Sequence, residues 1–170
     1  IGSLEKWGLG YDDVLKEKFP RLIHCRVTGF GSDGPLGGFP GYDAVLQAMC
    51  GWFTVNGPPE GSGVRIGIPL VDIGTGLFAS NAILAAGLER EKSGLGQSVE
   101  ASLFDTGIAF QHPHAPNWFL SGKAPVRVGN AHTNIAPYDA FPSKTVDIYL
   151  SVGNNGQFSR LCTALGAPEM

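Results

Sequence analysis

The sequence is poor in charge and has no basic surplus. Charged residues make up 16% of the 170 residues, against about 25% in an average globular domain. Twelve basic and 15 acidic residues leave a net charge of -3, so a role in binding a nucleic-acid backbone is not expected. The low charge, beside 43% hydrophobic residues, indicates a surface that is partly covered by another chain.

Cysteines are also few. The three of them, Cys25, Cys50 and Cys162, are odd in number and far apart, so we expect no disulfide framework and favour a reducing, cytoplasmic compartment. Each is interpreted as a small buried apolar residue rather than a nucleophile. No metal site is predicted, because His112 and His114 flank a proline without a supporting cluster of further ligands.

Long hydrophobic runs are absent as well. The sequence has no stretch of about 18 uncharged apolar residues, so we predict no transmembrane helix and no membrane partner. We also expect no signal peptide. It begins with Ile1 rather than Met and stops at Met170, just after a helical pattern. We therefore expect a segment of a longer protein.

Glycine and proline, by contrast, are abundant, with 25 and 12 copies. They separate apolar segments whose patterns predict alternating helices and strands. Helices are predicted over 11–19, 42–52, 72–90, 103–111 and 157–165, strands over 22–28, 97–102, 138–141 and 148–152, and loops over 29–41, 56–69 and 115–136. This order predicts an α/β fold with a second, smaller unit at its C-terminal end.

Asp72 is the candidate nucleophile. It follows a β-branched run that contains Pro69, and it opens the predicted helix through Gly74 and Gly76. Unpaired N–H groups at a helix start would keep its carboxylate ionised, as a nucleophile requires, and the glycines would leave room for a substrate. The alternative, which the pattern alone favours, is a plain helix N-cap. The helix is apolar nearly all round, which is typical of a buried helix.

Three other segments could bind a ligand. The loop over 29–41 is rich in glycine but lacks G-x-G-x-x-G, so it is either a phosphate cradle or a long turn with several positive φ angles. Asp43 and Gln47 lie one helical turn apart, and the pattern alone favours capping and a solvated face for them. His132 lies in a polar loop that suits ligand contact.

A series of ordered motifs resembles the family III CoA-transferases, which include the formyl-CoA, carnitine and succinyl-CoA:glutarate CoA-transferases. The match runs through essentially the whole chain. It rests on Gly29-Phe30-Gly31, Pro40-Gly41-Tyr42-Asp43 and Gln47, on Val71-Asp72 with Thr75-Gly76, on Gly94 with Gly96-Gln97, on Gly129-Asn130-Ala131-His132, and on Gly153-Asn154-Asn155 with Gln157-Phe158.

This resemblance implies a division of the chain. Residues 1–115 would be part of the Rossmann-like large α/β domain and carry the nucleophile, 116–136 would be a linker, and 137–170 would begin the small α+β domain. Members of the family are longer than this chain and form interlocked dimers, so a homodimer is expected.

The resemblance also implies a chemistry. The family's aspartate at the position of Asp72 attacks an acyl-CoA and forms a mixed aspartyl anhydride. CoA then attacks to give aspartyl-CoA, and the acceptor, a small carboxylic acid, leaves as its own thioester. Coenzyme A is expected as part of the substrate, with no covalently bound cofactor. The implied CoA- and substrate-binding residues are Pro40, Gly41, Tyr42, Asp43, Gln47, Gly129, Asn130 and His132. The segment over 154–158 looks closest to transferases that act on dicarboxylates.

Two alternatives stay open at this point. The α-methylacyl-CoA racemases share the fold but carry a histidine base where this chain has Tyr42, and tyrosine is a poor base at neutral pH. The other alternative is a truncated, non-catalytic module that binds CoA weakly or not at all.

Overall fold

The computed structural model describes residues 2–169, so Ile1 and Met170, where the predicted domains begin and end, lie outside it. Helices and strands are mixed along the chain. The helices are α1 (Ser3–Lys6), a π-helical turn (Tyr11–Leu15) that continues into α2 (Lys16–Lys18), α3 (Asp43–Met49), a 3-10 turn (Trp52–Thr54), α4 (Leu70–Ser93), α5 (Leu103–Ala109), α6 (His114–Ser121) and α7 (Asn155–Ala164). The strands are β1 (His24–Thr28), β2 (Ser98–Ser102), β3 (Tyr138–Phe141) and β4 (Ile148–Ser151).

The first sheet is a pair of parallel strands, and the connection between them runs from residue 29 to residue 97. β1 pairs with β2 from His24 opposite Ser98 to Thr28 opposite Ser102. Parallel strands need a crossover of a dozen residues or more, usually helical, and α3 and α4 lie in this one. This helix-connected parallel pair confirms the predicted α/β class.

The second sheet is an antiparallel hairpin near the C-terminal end. β3 pairs with β4 from Tyr138 opposite Ser151 to Phe141 opposite Ile148, as the sequence predicted. α7 follows, and the Asn154 side chain caps it by accepting a hydrogen bond from the backbone N–H of Gln157 at 3.0 Å. The two sheets are separate, while the boundaries of the two domains stay a prediction.

The hydrophobic core lies where α3, α4 and α5 meet. Leu46 and Val71 are completely buried, and the Trp52 indole N–H donates to the carbonyl oxygen of Gly107 at 2.9 Å. The buried cluster consists of Leu46, Cys50, Trp52, Val71 and Leu103, with Phe30, Ile66, Leu70 and Phe104 packed against it. The core therefore anchors the first turn of α4, where Asp72 lies.

The predicted loop over 115–136 is wrong in its first part, because α6 occupies His114–Ser121. Pro116 is the third residue of this helix. Proline is tolerated in the first turn, where its missing N–H has no intrahelical partner to lose. The proline-rich sequence therefore starts a helix there instead of breaking one.

α4 is buried on one side only, so the predicted fully buried helix is wrong for the described part of the chain. We call Val71, Gly74, Thr75, Ala79 and Ala86 the packed face, since all five are buried. We call Ile73, Leu77, Leu84 and Leu88 the open face, since these side chains are 51–72% exposed.

By length and composition alone α4 could also cross a membrane, since an 18-residue window within it has a mean hydropathy of 1.4. The sequence analysis predicted no such helix. A core helix meets the same criterion, and the packed face of α4 contacts β1, β2 and α5.

Candidate active site

A cavity of about 510 Å³ lies at the carboxyl ends of the parallel strands. Gly29 follows β1 directly and Leu103 follows β2 directly, and both line the cavity. Open α/β sheets characteristically bind ligands at this edge. The full lining consists of Val27, Thr28, Gly29, Gly38, Phe39, Pro40, Gly41, Tyr42, Asp72 and Leu103. The fold thus brings Asp72 together with Pro40, Gly41 and Tyr42, four of the predicted site residues.

Two glycines allow the base of the 29–41 loop to close. A Cβ added at Gly41 would lie 2.7 Å from the Cα of Gly29 and 2.8 Å from Cδ2 of Leu46. Within the loop, Gly31, Gly34 and Gly38 have φ angles of 84°, 76° and 83°. The interpretation as a long turn with several positive φ angles is confirmed. The closed base holds Tyr42 beside the end of β1.

Asp72 lies in the first turn of α4 but is not its cap. The helix begins at Leu70 with Pro69 in the N-cap position, so the N-cap interpretation of Asp72 is wrong. The Asp72 side chain is exposed to the cavity. Among residues 2–169, no group donates a hydrogen bond to its carboxylate. The carboxylate is therefore open to a substrate.

Asp43 and Gln47 are buried behind Asp72. Asp43 is 8% exposed and Gln47 has no exposed surface, so the solvated-face interpretation is wrong. The Asp43 Oδ2 atom accepts hydrogen bonds from the backbone N–H groups of Val71 at 2.8 Å and Asp72 at 3.3 Å. The expected direct contact of Gln47 with CoA does not fit a side chain that the protein encloses completely.

The pKa of Asp72 is raised above its ordinary value. Partial burial is the larger cause, and the negative charge of Asp43 is the smaller one. Free N–H groups at the helix start were predicted to favour the ionised form of Asp72, but Asp43 accepts hydrogen bonds from the N–H groups of Val71 and Asp72. A carboxylate of higher pKa is the stronger base and, once ionised, the stronger nucleophile.

The two glycines after Asp72 differ in their surroundings. A Cβ at Gly74 would lie 2.5 Å from Cζ of Phe110 and 3.0 Å from Cγ2 of Thr106, whereas a Cβ at Gly76 would meet nothing within 4 Å. Gly74 is therefore explained by helix packing. The expected space for a substrate next to the backbone exists only on the Gly76 side.

Gly129 and Asn130 line a different cavity. This second cavity, of about 620 Å³, is formed with the 56–59 segment, Val64, Val128 and Asp139. The His132 ring packs on Tyr138 with a centroid distance of 5.0 Å, and its Nδ1 accepts a hydrogen bond from the backbone N–H of Asn134 at 3.0 Å. The described chain does not bring these three predicted residues into the Asp72 cavity.

Cys50 and His114 were weighed as a nucleophile and as a metal ligand, and burial shifts the pKa of both. Burial, and secondarily the charge of Asp105, raises the pKa of the Cys50 thiol to about 11, so it is not a thiolate at neutral pH. Burial, and secondarily His132, lowers the pKa of His114. Between residues 2 and 169 no three His, Cys, Asp or Glu side chains are grouped to hold a metal ion.

Sequence reasoning missed how Asp43 acts. The available signal was Pro69, which has no side-chain acceptor to cap the helix that it precedes. A long helix without its own cap indicates an acceptor supplied from elsewhere in the chain.

The family model described as CoA-transferase family III matches residues 1–170. The chain belongs to CoA-transferase family III. This confirms the resemblance that the motifs indicated.

This member of CoA-transferase family III has close curated relatives. It is 42% identical over 164 residues to the succinate–glutarate CoA-transferase of Agrobacterium fabrum, an alignment that covers 96% of this chain and 41% of that protein. It is 37% identical over 170 residues to the acetyl-CoA:oxalate CoA-transferase of Acetobacter aceti, covering 99% and 43% of the two chains. The chain thus spans about two-fifths of the length of these relatives.

Solved structures of similar proteins share its fold. The crystal structure of a CaiB/BaiF family protein from Brucella suis superposes with a TM-score of 0.81 at 41% identity, covering 99% of this chain and 44% of that chain. A protein from Mycobacterium tuberculosis gives a TM-score of 0.81 at 32% identity, covering 99% and 45%.

Proposed function

We propose that this family III chain forms part of a CoA-transferase that moves CoA between an acyl-CoA and a small carboxylic acid, with Asp72 as the nucleophile. The observation that carries the proposal is the position of the Asp72 carboxylate. It faces a cavity at the carboxyl ends of the parallel strands, free of hydrogen-bond donors from residues 2–169. Relatives named for succinate, glutarate and oxalate support carboxylic acids, dicarboxylates among them, as the substrate class.

The first half of the proposed reaction transfers CoA to the enzyme. A carboxylate oxygen of Asp72 attacks the thioester carbonyl carbon, and the C–S bond breaks to release CoA thiolate and leave a mixed anhydride. The thiolate then attacks the carbonyl carbon of Asp72, and the donor acid leaves as its carboxylate. The product is an aspartyl-CoA thioester.

The second half reverses these steps with the acceptor. The acceptor carboxylate attacks the aspartyl-CoA thioester, which expels CoA thiolate and forms a second anhydride. The thiolate attacks the acceptor's carbonyl carbon, so a new acyl-CoA forms and the Asp72 carboxylate is restored. Each attack by an anion expels another anion, and no step requires a proton.

The composition of the cavity favours transfer over racemisation. A racemase needs one group to remove a proton and another to return it. The lining residues from this chain offer one carboxylate, Asp72, and one phenol, Tyr42, and a phenol is a poor base at neutral pH. An anhydride mechanism uses the carboxylate alone, which fits the cavity better. In this proposal Tyr42, 73% exposed, packs against the pantetheine arm together with Pro40 and Gly41.

We include a cytoplasmic homodimer in the proposal. The open face of α4 supports the dimer, because Leu77, Leu84 and Leu88 expose 63%, 66% and 72% of their surfaces and such apolar surfaces typically pack against another surface. The three free cysteines support a reducing compartment.

The experiment that tests the function follows both the product and the protein. Purified chain is mixed with succinyl-CoA and, in turn, glutarate and oxalate, and acyl-CoA products and intact protein mass are recorded. We expect a new acyl-CoA and a CoA adduct on the protein that hydroxylamine removes. Asp72→Asn and Asp72→Ala should lose both, by a factor of about 10³ or more. Asp12→Asn, which removes an exposed carboxylate, should lose neither.

A chimera provides the parts that the relatives have and this chain lacks. The chain replaces the matching 164 residues of the Agrobacterium fabrum transferase, and the same variants are assayed. Transfer that survives Asp72→Ala contradicts the proposed nucleophile. A folded chimera that neither transfers CoA nor binds it in calorimetry supports the non-catalytic module instead.

A further inference from the structure

The start of α4 is capped by a residue from another helix. Pro69 occupies the N-cap position, and no side chain hydrogen bond comes from it. Asp43, the first residue of α3, accepts hydrogen bonds from the backbone N–H groups of Val71 and Asp72 at 2.8 and 3.3 Å. These belong to the second and third residues of α4, the positions that an N-cap side chain ordinarily binds. One carboxylate therefore joins the first turns of two helices.

Gln47 fixes the other oxygen of this carboxylate. Its Nε2 donates to Oδ1 of Asp43 at 2.6 Å and to the carbonyl oxygen of Ile66 at 3.3 Å. Its Oε1 accepts a hydrogen bond from the backbone N–H of Ile66 at 2.8 Å. The Gln47 amide thus has partners on both of its polar atoms, and it ties Asp43 to the segment that leads into α4.

We propose that Asp43 and Gln47 are positioning residues that hold the first turn of α4 and thereby aim the Asp72 carboxylate into the cavity. The inference rests on the proposed role of Asp72 as the nucleophile. It reassigns two residues that the sequence placed at the CoA-binding surface, since both are buried and their polar atoms are occupied by the protein itself. They act on catalysis indirectly, because the hydrogen bond from the Asp72 N–H to Asp43 fixes the backbone that carries the Asp72 carboxylate.

The same arrangement sets the electrostatic surroundings of Asp72. The charge of Asp43 contributes to raising the pKa of Asp72. Asp72 from α4 is the titratable group that lies against Asp43, since the Asp72 backbone N–H donates to Oδ2 of Asp43 at 3.3 Å. Neutralising Asp43 therefore removes a negative neighbour of Asp72, and the ionised form of Asp72 becomes easier to reach.

Two variants separate the geometry from the charge. In Asp43→Asn, the new NH₂ group meets either the two α4 N–H donors or the one Gln47 amide donor, so two hydrogen bonds are lost in the first orientation and one in the second. In the double variant Asp43→Asn with Gln47→Glu, the amide NH₂ introduced at position 43 can donate to the new carboxylate at position 47, while the amide oxygen accepts from α4. The double variant restores the match of donors and acceptors at position 43, loses the 3.3 Å bond from position 47 to the carbonyl oxygen of Ile66, and moves the charge away from α4.

The transfer assay, in the chain or in the chimera, measures both effects. We expect Asp43→Asn to lower kcat by roughly 10- to 100-fold with little change in KM, and to move the acidic limb of the kcat/KM profile to lower pH. The double variant should recover much of kcat while its acidic limb stays displaced. Asp12→Asn serves as the control and should change neither quantity.

A titration of Asp72 by carboxyl NMR, in the labelled chain, gives a readout that needs no turnover. We expect the Asp72 titration to move to lower pH in Asp43→Asn. An unchanged kcat and an unchanged titration overturn the inference. So does a loss of activity that merely follows the loss of folded protein, with no shift in titration. Full activity in Asp72→Asn refutes the proposed function, while the titration still decides whether Asp43 acts on Asp72.

Discussion

The two faces of α4 differ in the size and the exposure of their side chains. On the packed face, the small residues Gly74, Thr75 and Ala79 let the helix lie close to α5 and β2, and the Thr75 hydroxyl donates to Thr106 Oγ1 at 3.0 Å. On the open face, Leu77, Leu84 and Leu88 are large and apolar, and within residues 2–169 little covers them. The packed face is complete within this chain, whereas the open face is suited to a further surface.

This difference shows what apolar residues indicate along a helix. Hydrophobicity on all sides predicted burial on all sides, but hydrophobicity alone does not say which polypeptide supplies the cover. Residue size is the sharper signal, because small residues are needed where a neighbouring backbone approaches closely. Asp72 lies one residue before the open-face Ile73 and directly follows the buried Val71, so its helix turn is fixed on one side and accessible on the other.

The largest effect that we expect concerns the packed face. Gly74→Ala should destabilise the chain by up to about 2 kcal/mol, because overpacking against Phe110 and Thr106 costs about 1–3 kcal/mol and higher helix propensity offsets about 1 kcal/mol. The matched control, Gly76→Ala, has open space at its Cβ and should stabilise by about 0.5–1 kcal/mol. Urea unfolding followed by circular dichroism measures both. Equal effects of the two substitutions would contradict the distinction between the faces.

Much of the fold was predictable because local patterns determine it. The two strands of the parallel pair and the strand pair over 138–151 were predicted from β-rich runs bounded by turn residues, and α7 was predicted from its apolar face. The parallel pairing itself was not predicted. The start of α4 was placed two residues late, because Leu70 and Val71 continue an apolar, β-branched run that reads as a strand. α6 was not predicted, because proline usually ends a helix, whereas Pro116 lies in the first turn of this one.

The candidate site also has a part that the sequence predicts and a part that it does not. Asp72 and the 40–42 segment were identified from the sequence, and the fold joins them in one cavity. The burial of Asp43 and Gln47 was not predictable, because their partners are backbone groups at Ile66, Val71 and Asp72, about 20–30 residues away. A helical pattern gives the shared face of two residues but not what lies opposite that face.

A second, smaller effect tests the open face. Leu84→Gln should weaken self-association of the chain roughly tenfold or more, since burying a leucine contributes about 1.5–3 kcal/mol and 1.4 kcal/mol corresponds to a factor of ten. Sedimentation velocity over a range of concentrations measures the change. Leu165→Gln removes a leucine that is 72% exposed at the end of α7 and should leave association unchanged. A monomeric wild-type chain would refute dimerisation through α4.

The smallest expected effect lies at the junction of the two faces and concerns pH. Because the folded state raises the pKa of Asp72, folding disfavours its charged form. The stability associated with a protonated Asp72 is fully present below the unfolded pKa and is lost as the pH rises through the folded pKa. Asp72→Asn carries no such group. It should therefore match the wild type in acid and become slightly more stable than it as the pH rises towards neutrality.

Thermal melting from acid to neutral pH measures this difference, with Asp12→Asn as the control for net charge. If the difference in melting temperature from the wild type grows with pH for Asp72→Asn but not for Asp12→Asn, the ionised Asp72 carboxylate destabilises the fold. This is expected of a group kept for reaction rather than for structure. A gap that closes with rising pH would mean that α4 stabilises the charged form, and would contradict the raised pKa. When both chains also carry Asp43→Asn, the stability difference caused by Asp72→Asn should be smaller, because the negative neighbour that helps to raise the pKa of Asp72 is then absent.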